Sequence, residues 1–338
     1  MKRYQVYPGR PHSPLQMSEF KPEPLGDRQV AVAIKAVSLN FRDLLVGQNT
    51  YFSPIADGLV PCSDGAGEVV AVGKDVQELK LGDRVASLFF PKWHSGRGDK
   101  ENVVDALGAE IGGVLTELFI SDESGLIKLP NSISYAEAAT LPCAALTAWN
   151  SLFEAGDLKP GQTVLLLGTG GVSIFALQLA KAAGATVIIT SSEDKKLAHA
   201  RQLGADHGIN YHTHPEWQKE VLGLTNGRGV DLVIEVGGPG TLERSLASVR
   251  TGGRIAYIGV LTGLSGQANP VALIPKMASI QGIFVGNRSM FSALLTAIEI
   301  HDIHPVIDRE FSFSEAPDAL EYMRSGEHFG KIVIRVGN

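Results

Sequence analysis

The 338-residue sequence contains only two cysteines, Cys62 and Cys143. Two thiols cannot form a framework of disulfides and are too few for a structural zinc site, which takes four ligands. No apolar run approaches the roughly 18 residues of a membrane-spanning helix, and no apolar signal segment follows Met1. These absences predict a soluble protein of a reducing compartment, which we expect to be the cytoplasm.

Positive charge is also scarce, since 30 Lys and Arg face 36 Asp and Glu for a net charge of -6. An acidic chain offers no basic field to nucleic acid or to an anionic membrane surface. Hydrophobic residues make up 44% of the chain, which is ordinary for a globular protein. The length predicts about two domains, and the 38 glycines are typical of a chain with many tight turns.

The pattern of apolar residues changes along the chain. Up to about residue 126, short runs such as 30–37 and 65–73 predict the strands of a β-rich domain. Further on, apolar strands alternate with helical patterns, which predicts parallel βαβ units. The expected strands are 163–167, 186–190, 231–236, 254–258 and, near the end of this region, 280–285. The sequence therefore predicts an α/β fold in which a β-rich domain, residues 1–126 and 284–338, surrounds a doubly wound domain, residues 127–283.

A glycine-rich turn between a strand pattern and a helix pattern is the most specific local signal. The run 168–173 reads Gly-Thr-Gly-Gly-Val-Ser. In this context Gly168 permits the tight turn, and Gly170 lets the backbone approach a pyrophosphate at the amino terminus of the helix. Ser173 replaces the third glycine of the usual fingerprint and is still small enough for close packing. We expect a dinucleotide to contact Gly168, Gly170, Gly171 and Val172.

The end of the second predicted strand bears on which nucleotide binds. NAD sites usually carry an acid there, which holds the ribose 2′-hydroxyl. Here the strand ends near Ser192, and Glu193 and Asp194 come only afterwards. Lys196 could meet a 2′-phosphate by a charge-assisted hydrogen bond, or it could be a solvated surface charge. The two acids would weaken a 2′-phosphate site if they pointed inward. We expect NADP(H), with NAD(H) as the alternative.

Six motifs occur in a fixed order along nearly the whole chain. They are 40–43 (NFRD), 61–69 (PCSDGAGEV), 79–85 (LKLGDRV), 139–142 with 146–149 (ATLP and LTAW), the 168–173 turn and 330–333 (GKIV). Together they resemble the medium-chain dehydrogenase/reductase superfamily, in particular its zinc-independent, quinone-oxidoreductase-like branch. The resemblance implies a GroES-like catalytic domain, a Rossmann domain, a nicotinamide in a cleft between them, and a homodimer formed near 280–285. In NADPH-using members a lysine and a later tyrosine flank the 2′-phosphate, and Lys196 and Tyr211 stand at those positions.

Zinc is not expected. A catalytic zinc takes about three protein ligands from Cys, His or carboxylate side chains. In zinc-bearing relatives the three positions carry Cys, His and Cys, whereas this chain carries Asn40, Ser63 and Cys143. One thiol, even with a neighbouring aspartate, provides too few ligands for a catalytic zinc. His212 and His214 have no third zinc ligand near them in the sequence, and we expect both to lie on the protein surface.

Without zinc, simple alcohols lose the Lewis acid that would polarise their oxygen. Quinones and conjugated carbonyls need less help, because conjugation spreads the charge that hydride transfer creates, and hydrogen-bond donors can then suffice. We therefore expect an NADP(H)-dependent reductase of a quinone, enone or enal. The alternatives are an NAD(P)-dependent alcohol dehydrogenase that acts without zinc, and a catalytically silent nucleotide-binding protein. A small-molecule substrate is expected, with no nucleic-acid or membrane partner.

The candidate catalytic residues are Asn40, Asp43 and Tyr51. Asn40 could donate to the nicotinamide ribose or to the substrate oxygen, or it could only cap the following turn. Tyr51 could donate a proton, stack on a ring or fill space as an apolar wedge. Further positions expected to line the cofactor are Thr147, Gly237, Gly259, Val260, Phe284 and Val285, most of them at the carboxyl ends of the predicted parallel strands, where ligands bind.

Two further residues and one loop have competing interpretations. We interpret Asp64 as a capping carboxylate in preference to a catalytic one, and Cys143 as a small buried residue in preference to a nucleophile. The polar, glycine-rich stretch 89–113 is either an ordered surface excursion or a loop of the substrate cleft.

Overall fold

A computed structural model describes residues 1–8, 15–267 and 269–337. These residues belong to two compact units, one within Met1–Leu146 and Val285–Asn338 and the other within Thr147–Phe284. The first boundary falls about 20 residues after the predicted position at residue 127. The reason is that the helix Tyr135–Ala139 contacts strands of the first unit, so this segment belongs to the β-rich part of the chain.

The strands are, in chain order, β1 Lys2–Val6, β2 Leu15–Glu19, β3 Gln29–Ser38, β4 Asp64–Val72, β5 Arg84–Ser87, β6 Leu118–Asp122, β7 Leu126–Lys128, β8 Thr163–Leu166, β9 Thr186–Ser191, β10 His207–Asn210, β11 Val230–Glu235, β12 Val249–Tyr257, β13 Ser279–Gly282, β14 Ile307–Ser312 and β15 Lys331–Arg335. The α-helices are α1 Phe41–Gly47, α2 Tyr135–Ala139, α3 Leu146–Trp149, α4 Gly171–Ala182, α5 Asp194–Gln202, α6 Trp217–Leu224, α7 Pro239–Ser248, α8 Arg288–Ile300 and α9 Ala316–Ser325. Two π-helical turns, Leu141–Ala145 and Asn150–Glu154, flank α3.

The first unit is organised around β3. Among the described residues its main sheet follows the order β14-β15-β3-β4-β5-β7, and β6 also pairs with β3. The β-branched and small side chains of β3 suit a buried strand, and Val30, Val32 and Val37 are almost fully buried. Helix α1 begins three residues after β3 ends. The motif at 40–43 therefore lies at the carboxyl end of a largely buried strand.

The second unit is a doubly wound sheet. Its described strands run parallel in the order β10-β9-β8-β11-β12-β13, so the winding reverses between β8 and β11. Leu165, Ile188 and Val233 form part of its core. In such sheets ligands bind outside the carboxyl ends of the strands at the reversal point. The predicted α/β architecture, with a β-rich domain and a parallel-sheet domain, is confirmed.

The strand expected at 280–285 is shorter than predicted. Strand β13 ends at Gly282, and Val285 adopts a left-handed backbone with φ of 58° that an extended strand cannot contain. Both cysteines are free. In the described part of the chain, we found no helix with the length and apolar character needed to cross a membrane.

Candidate functional site

The glycine turn of the second unit has the predicted form. It links β8 to α4 at the reversal point of the sheet, with Gly168 at a φ of 71° and Gly170 preceding the first helical residue, Gly171. The positive φ explains the glycine at position 168, since other residues rarely adopt it. A Cβ added at Gly168 or Gly170 would meet no atom within 4 Å. The turn thus leaves open space next to the N–H groups of the first turn of α4, such as that of Val172. A phosphate fits such a position.

Two hydroxyl groups brace this turn. The Ser173 hydroxyl donates to the Leu167 carbonyl oxygen at 2.7 Å, and the Gly168 N–H donates to the Thr190 hydroxyl at 3.1 Å. Ser173 is buried, so its side chain supplies a hydrogen bond that the glycine of the usual fingerprint could not make. The departure from the fingerprint therefore stabilises the turn.

Glu235 organises the next turn along the sheet edge. It is fully buried at the end of β11, and its Oε1 accepts from the N–H groups of Gly237 at 2.8 Å and Gly238 at 3.0 Å. The same carboxylate accepts from the hydroxyls of Thr241 and Ser245. Four donors on one carboxylate fix the path of the backbone between β11 and α7.

A second loop is tied to that turn. Thr262 donates to the Gly237 carbonyl oxygen through both its N–H and its hydroxyl, each at 2.8 Å. A Cβ at Gly259 would lie 1.9 Å from the Val236 carbonyl oxygen, so the two backbones touch and no side chain fits. Val260, the other residue predicted here, follows this contact. The structure therefore brings the predicted positions 237, 259 and 260 together.

The residues expected near a 2′-phosphate lie at one edge of the sheet. Ser192 follows β9, Tyr211 follows the neighbouring β10, and the Tyr211 N–H donates to the Ser191 carbonyl oxygen at 3.0 Å. Lys196 lies in the first turn of α5 with its Nζ 3.2 Å from the Glu193 carboxylate. The acid that sequence reasoning weighed against NADP(H) is thus paired with the lysine that favoured it.

Three other predicted cofactor positions are less informative. Thr147 is buried, and its carbonyl oxygen accepts the Ser151 hydroxyl at 2.7 Å. Phe284 is exposed in the second unit, whereas Val285 is buried in the first. A β-branched residue with a left-handed backbone is strained, and such strain is concentrated at functional sites.

In the first unit, α1 carries the predicted catalytic residues. Asn40 precedes the helix with an extended backbone, and its N–H donates to the Asp43 carboxylate at 2.8 Å, as expected of a cap. Asp43 is buried, and burial raises the pKa of its carboxyl group to about 6, although the charge of Arg42 opposes the shift. This aspartate therefore stabilises the helix start.

Lys331 is the residue that completes this cluster. Its buried ammonium donates to the Leu39 carbonyl oxygen at 2.5 Å and to the Asn40 Oδ1 at 2.7 Å. Because only the amide oxygen can accept from an ammonium, this bond fixes the orientation of the Asn40 amide and turns its NH₂ group elsewhere. Lys331 thus positions a predicted catalytic residue.

Asp64 occupies the centre of the same cluster. Its carboxylate is fully buried and accepts from the Ser63 hydroxyl at 2.6 Å and from the Cys143 N–H at 3.1 Å. Burial raises the pKa of Asp64, and the charge of Lys331 opposes the shift. Burial also raises the pKa of the Cys143 thiol, with the Asp64 charge adding to the effect. A thiol that resists ionisation is a poor nucleophile.

Arg42 and Tyr51 form an aromatic–cation pair beside these groups. The guanidinium carbon lies 4.9 Å from the centre of the Tyr51 ring and 4.6 Å from that of Phe89. Its Nη1 donates to the Leu107 carbonyl oxygen at 2.7 Å. Burial raises the pKa of Tyr51 to about 12, with Arg42 opposing the shift. The pair brings the 89–113 stretch onto the predicted site.

Sequence reasoning missed Arg42, Lys331 and Glu235 as individual residues. The first two lie inside motifs that were noted only for their resemblance. Glu235 had a usable signal, since it ends an apolar strand pattern immediately before a glycine turn.

Two family models match the chain. The alcohol dehydrogenase GroES-like domain matches residues 26–131, and the zinc-binding dehydrogenase domain matches residues 171–299. A zinc-type alcohol dehydrogenase-like protein of Schizosaccharomyces pombe is 43% identical over 95% of both chains. A quinone oxidoreductase of Pseudomonas aeruginosa is 31% identical over 95% of both. A solved NAD-dependent alcohol dehydrogenase superposes with a TM-score of 0.91 at 32% identity over the full length of both chains.

A GroES-like domain and a dinucleotide turn at the switch point of a doubly wound sheet define an NAD(P)H-dependent oxidoreductase. The chain belongs to the medium-chain dehydrogenase/reductase superfamily. The resemblance to this superfamily inferred from its motifs is confirmed.

Proposed function

We propose that the protein is a zinc-independent, NADP(H)-dependent reductase of a quinone, enone or enal. The observation that carries the proposal is the set of groups at Asn40, Ser63 and Cys143, which is a hydrogen-bonded network rather than a set of metal ligands. The Asn40 amide oxygen is bound to the ammonium of Lys331, and the Ser63 hydroxyl is bound to Asp64.

Zinc does not fit these residues. Zinc favours thiolate, imidazole and carboxylate ligands, and this cluster offers one thiol and a carboxylate already engaged by two donors. A lysine ammonium inside the cluster adds unfavourable charge for a dication. Among the described residues, no group of three or more His, Cys, Asp or Glu side chains could hold a metal ion.

The dinucleotide fits the second unit. Gly168, Gly170 and the start of α4 would hold its pyrophosphate, and the loops at 236–241 and 258–262 would line its path. When bound in its reduced form, the nicotinamide supplies the hydride. The protein residues orient the substrate, exclude water and manage the proton and the developing charge.

Tyr51 is the proposed proton donor. Reduction of a conjugated carbonyl leaves an oxyanion that needs a proton. With a pKa raised to about 12, the phenol keeps its proton at neutral pH until that charge develops. Asn40, whose amide orientation is set by Lys331, would present its NH₂ group to the substrate oxygen or the nicotinamide ribose.

The preference for NADP(H) rests on Lys196 and Tyr211. Both lie at the carboxyl edge of β9 and β10, where the adenosine ribose of a Rossmann ligand is bound. Glu193 pairs with Lys196, so a 2′-phosphate would have to compete with this carboxylate. A gain of about tenfold is expected from one charge-assisted bond.

Paired fluorescence titrations with NADPH and NADH test the nucleotide. The wild-type protein should bind NADPH about tenfold more tightly or better, and Lys196→Ala should remove that preference. Lys195→Ala is the matched control, since it removes the neighbouring lysine of the same helical turn, and it should leave the preference intact. Equal binding of both nucleotides, unchanged by Lys196→Ala, would contradict the assignment.

An alcohol dehydrogenase acting without zinc is the second candidate, supported by the 43% identity to a zinc-type alcohol dehydrogenase-like protein. A kinetic screen of primary and secondary alcohols with NAD⁺ and NADP⁺, against quinones and enones with NADH and NADPH, separates the two. Nucleotide binding without turnover in either set would favour the silent binding protein.

A homodimer is also proposed, formed through β13. This strand is the edge of the second unit's sheet, and the segment before it exposes apolar side chains that are 52–75% accessible: Leu261, Leu264, Val271, Ile274 and Met277. Exposed strand edges and apolar patches of this kind favour pairing with a second copy. Light scattering of the purified protein, compared with Ile274→Glu, tests this interface.

A further inference from the structure

Arg42 carries donors that have no partner at ordinary hydrogen-bond distance among the described residues, and the Tyr51 hydroxyl lies close enough for a side-chain hydrogen bond to Arg42 to oppose the rise in the pKa of Tyr51. The residue is 7% exposed, and its Nη1 donates to the Leu107 carbonyl oxygen. Its Nε and Nη2 are buried and lack a hydrogen-bond partner among the described residues. Buried donors are nearly always paired in native proteins, so two unpaired N–H groups on one cation indicate a missing acceptor.

The unpaired groups lie on one edge of the guanidinium. The rings of Tyr51 and Phe89 lie against the guanidinium, with their centres 4.9 Å and 4.6 Å from its central carbon. Nε and Nη2 point in the same direction from the planar group, so their N–H bonds form a fork that can converge on one oxygen or pair with two. The only acceptor this edge can receive is one that approaches in the plane of the guanidinium.

Arg84 shows what a structural arginine looks like in the same unit. Its guanidinium also stacks on a tyrosine, with 4.6 Å to the centre of the Tyr135 ring. Its Nη1 donates to the Pro130 carbonyl oxygen at 2.8 Å, and its Nη2 donates to that of Ile133. Both terminal nitrogens of Arg84 therefore donate to backbone carbonyl oxygens, whereas Nε and Nη2 of Arg42 have no partner at hydrogen-bond distance among the described residues.

The surroundings of Arg42 keep it charged. Burial lowers the pKa of a guanidinium, but the neighbouring Tyr51, Asp43, Cys143 and Asp64 raise it by more. A permanent cation with an unpaired fork lies next to the proposed proton donor and next to the positions where zinc-bearing relatives hold their metal.

We propose that Arg42 is a catalytic residue whose Nε–H and Nη2–H bind the substrate oxygen that becomes negatively charged during reduction. This inference rests on the proposed function, and it assigns to a guanidinium the electrophilic task that zinc performs in metal-dependent dehydrogenases. The centre of the Tyr51 ring lies 4.9 Å from the guanidinium carbon, so the proposed proton donor adjoins the fork. Tyr51 lies in the irregular stretch between α1 and β4, where the next residue, Phe52, is 69% exposed.

The step balances for an enone. Bound NADPH would supply the hydride and become NADP⁺, with its C–H bond broken as a C–H bond forms at the β-carbon of the enone. The electron pair of the C=C bond then forms a double bond between the α-carbon and the carbonyl carbon, and the pair of the C=O bond moves to the oxygen, which the Arg42 fork would hold. The Tyr51 hydroxyl would protonate the α-carbon to give the saturated carbonyl compound, and the phenolate would regain its proton from water.

Two Arg42 variants and one matched control test the inference. Arg42→Met keeps the length and removes all donors, Arg42→Lys keeps the charge and removes the fork, and Arg84→Lys changes the structural arginine in the same conservative way. Removing a donor from an oxyanion site lowers kcat by about 10²–10³. We expect this loss in Arg42→Met, a loss of about tenfold or more in Arg42→Lys, and less than about threefold in Arg84→Lys, with the Kd for NADPH unchanged throughout.

A binding measurement separates this inference from the proposed function. The probe is 4-nitrophenolate at pH 9 with NADP⁺ present, and nitrobenzene is its neutral counterpart. Wild-type protein should bind the phenolate about tenfold more tightly than either Arg42 variant, while nitrobenzene should bind all of them alike. Equal phenolate affinity in a folded Arg42→Lys would overturn the inference, even if the wild type reduces enones. If the wild type reduces neither enones nor quinones but the phenolate result holds, the proposed substrate class fails and the oxyanion site stands.

Discussion

The nucleotide turn of the second unit is made of backbone, whereas the polar cluster of the first unit is made of side chains. Around Gly168 and Gly170 the functional groups are N–H donors and empty space, and Ser173 and Thr190 only brace them. In the first unit the functional groups are buried or partly buried side chains that come from separate segments: Asn40, Arg42, Asp43, Tyr51, Asp64, Cys143 and Lys331.

This difference has an energetic consequence. The glycine turn carries no net charge, and the hydrogen bonds that brace it use only hydroxyl and backbone groups, so holding it open costs little stability. Buried charges lose their hydration, and a buried charge without a partner lowers the stability of the folded protein. We therefore expect changes in the first unit's cluster to alter stability and catalysis together, and changes at the turn to alter nucleotide affinity alone.

Glu235 offers the strongest way to break that comparison, because it is a buried charge that shapes the second unit. Glu235→Ala removes the acceptor of two backbone N–H groups and two hydroxyls. Unsatisfied buried donors cost about 1–3 kcal/mol each, so we expect a loss on the order of 4 kcal/mol in the free energy of unfolding. The Kd for NADPH should rise about tenfold or more, because the turn that lines the nucleotide loosens.

Glu123 of the first unit is the matched control for Glu235. It is also buried, and it accepts from the N–H groups of Gln77 at 2.9 Å and Glu78 at 3.0 Å. Glu123→Ala should lower the melting temperature in a comparable way and leave nucleotide affinity within about twofold. Similar nucleotide affinities in both variants would mean that Glu235 only stabilises the fold.

Asp43 sharpens the comparison through pH. Burial raises its pKa from 3.8 to about 6, so the folded protein holds a proton that the unfolded chain has released between about pH 4 and 6. The free energy of unfolding therefore falls as pH rises through this window, by up to about 3 kcal/mol for a shift of about two units. Asp43→Asn should remove this slope, because an amide does not titrate. The Asn oxygen can still accept the Asn40 N–H, so the helix cap is kept.

The measurement is the melting temperature of Asp43→Asn relative to wild type from pH 4 to 7, which should rise with pH. Asp83→Asn is the control. Its carboxylate also accepts an N–H from the residue three positions earlier, Lys80, but the pKa of Asp83 is lowered despite partial burial, by Lys128 and that N–H. Its contribution is present above its unfolded pKa and is lost as pH falls below about 4, so this variant should show no rise from pH 4 to 7 and, in a scan extended to pH 3, the opposite trend. If the melting temperatures of both variants, relative to wild type, changed with pH in the same direction, ionisation of Asp43 would not destabilise the folded protein.

The same contrast explains how far the sequence could predict the structure. The turn at 168–173 was recognisable because its requirements, a positive φ and absent side chains, fall on consecutive residues after a strand pattern. The bond from Lys331 to Asn40 joins residues 291 positions apart, and no local pattern specifies it. The unpaired fork of Arg42 depends on where Phe89 and Leu107 are placed by a long loop. Side-chain clusters are products of the tertiary fold, and sequence reasoning reached only their motifs.

Gly170→Ala makes the smallest change to the molecule and tests the backbone account most directly. Gly170 has φ of -79° and ψ of -178°, which alanine adopts without strain, and its added methyl group would touch no protein atom within 4 Å. The melting temperature should therefore stay within about 2 °C of wild type. The Kd for NADPH should rise about tenfold, or about 1.4 kcal/mol, because the methyl group fills the space through which the backbone approaches the pyrophosphate. Gly112→Ala in the first unit, where a methyl group also meets nothing within 4 Å, should change neither quantity. If Gly170→Ala binds NADPH as tightly as wild type does, the pyrophosphate does not lie against this turn, and the second unit must hold its nucleotide by side chains, as the first unit holds its polar cluster.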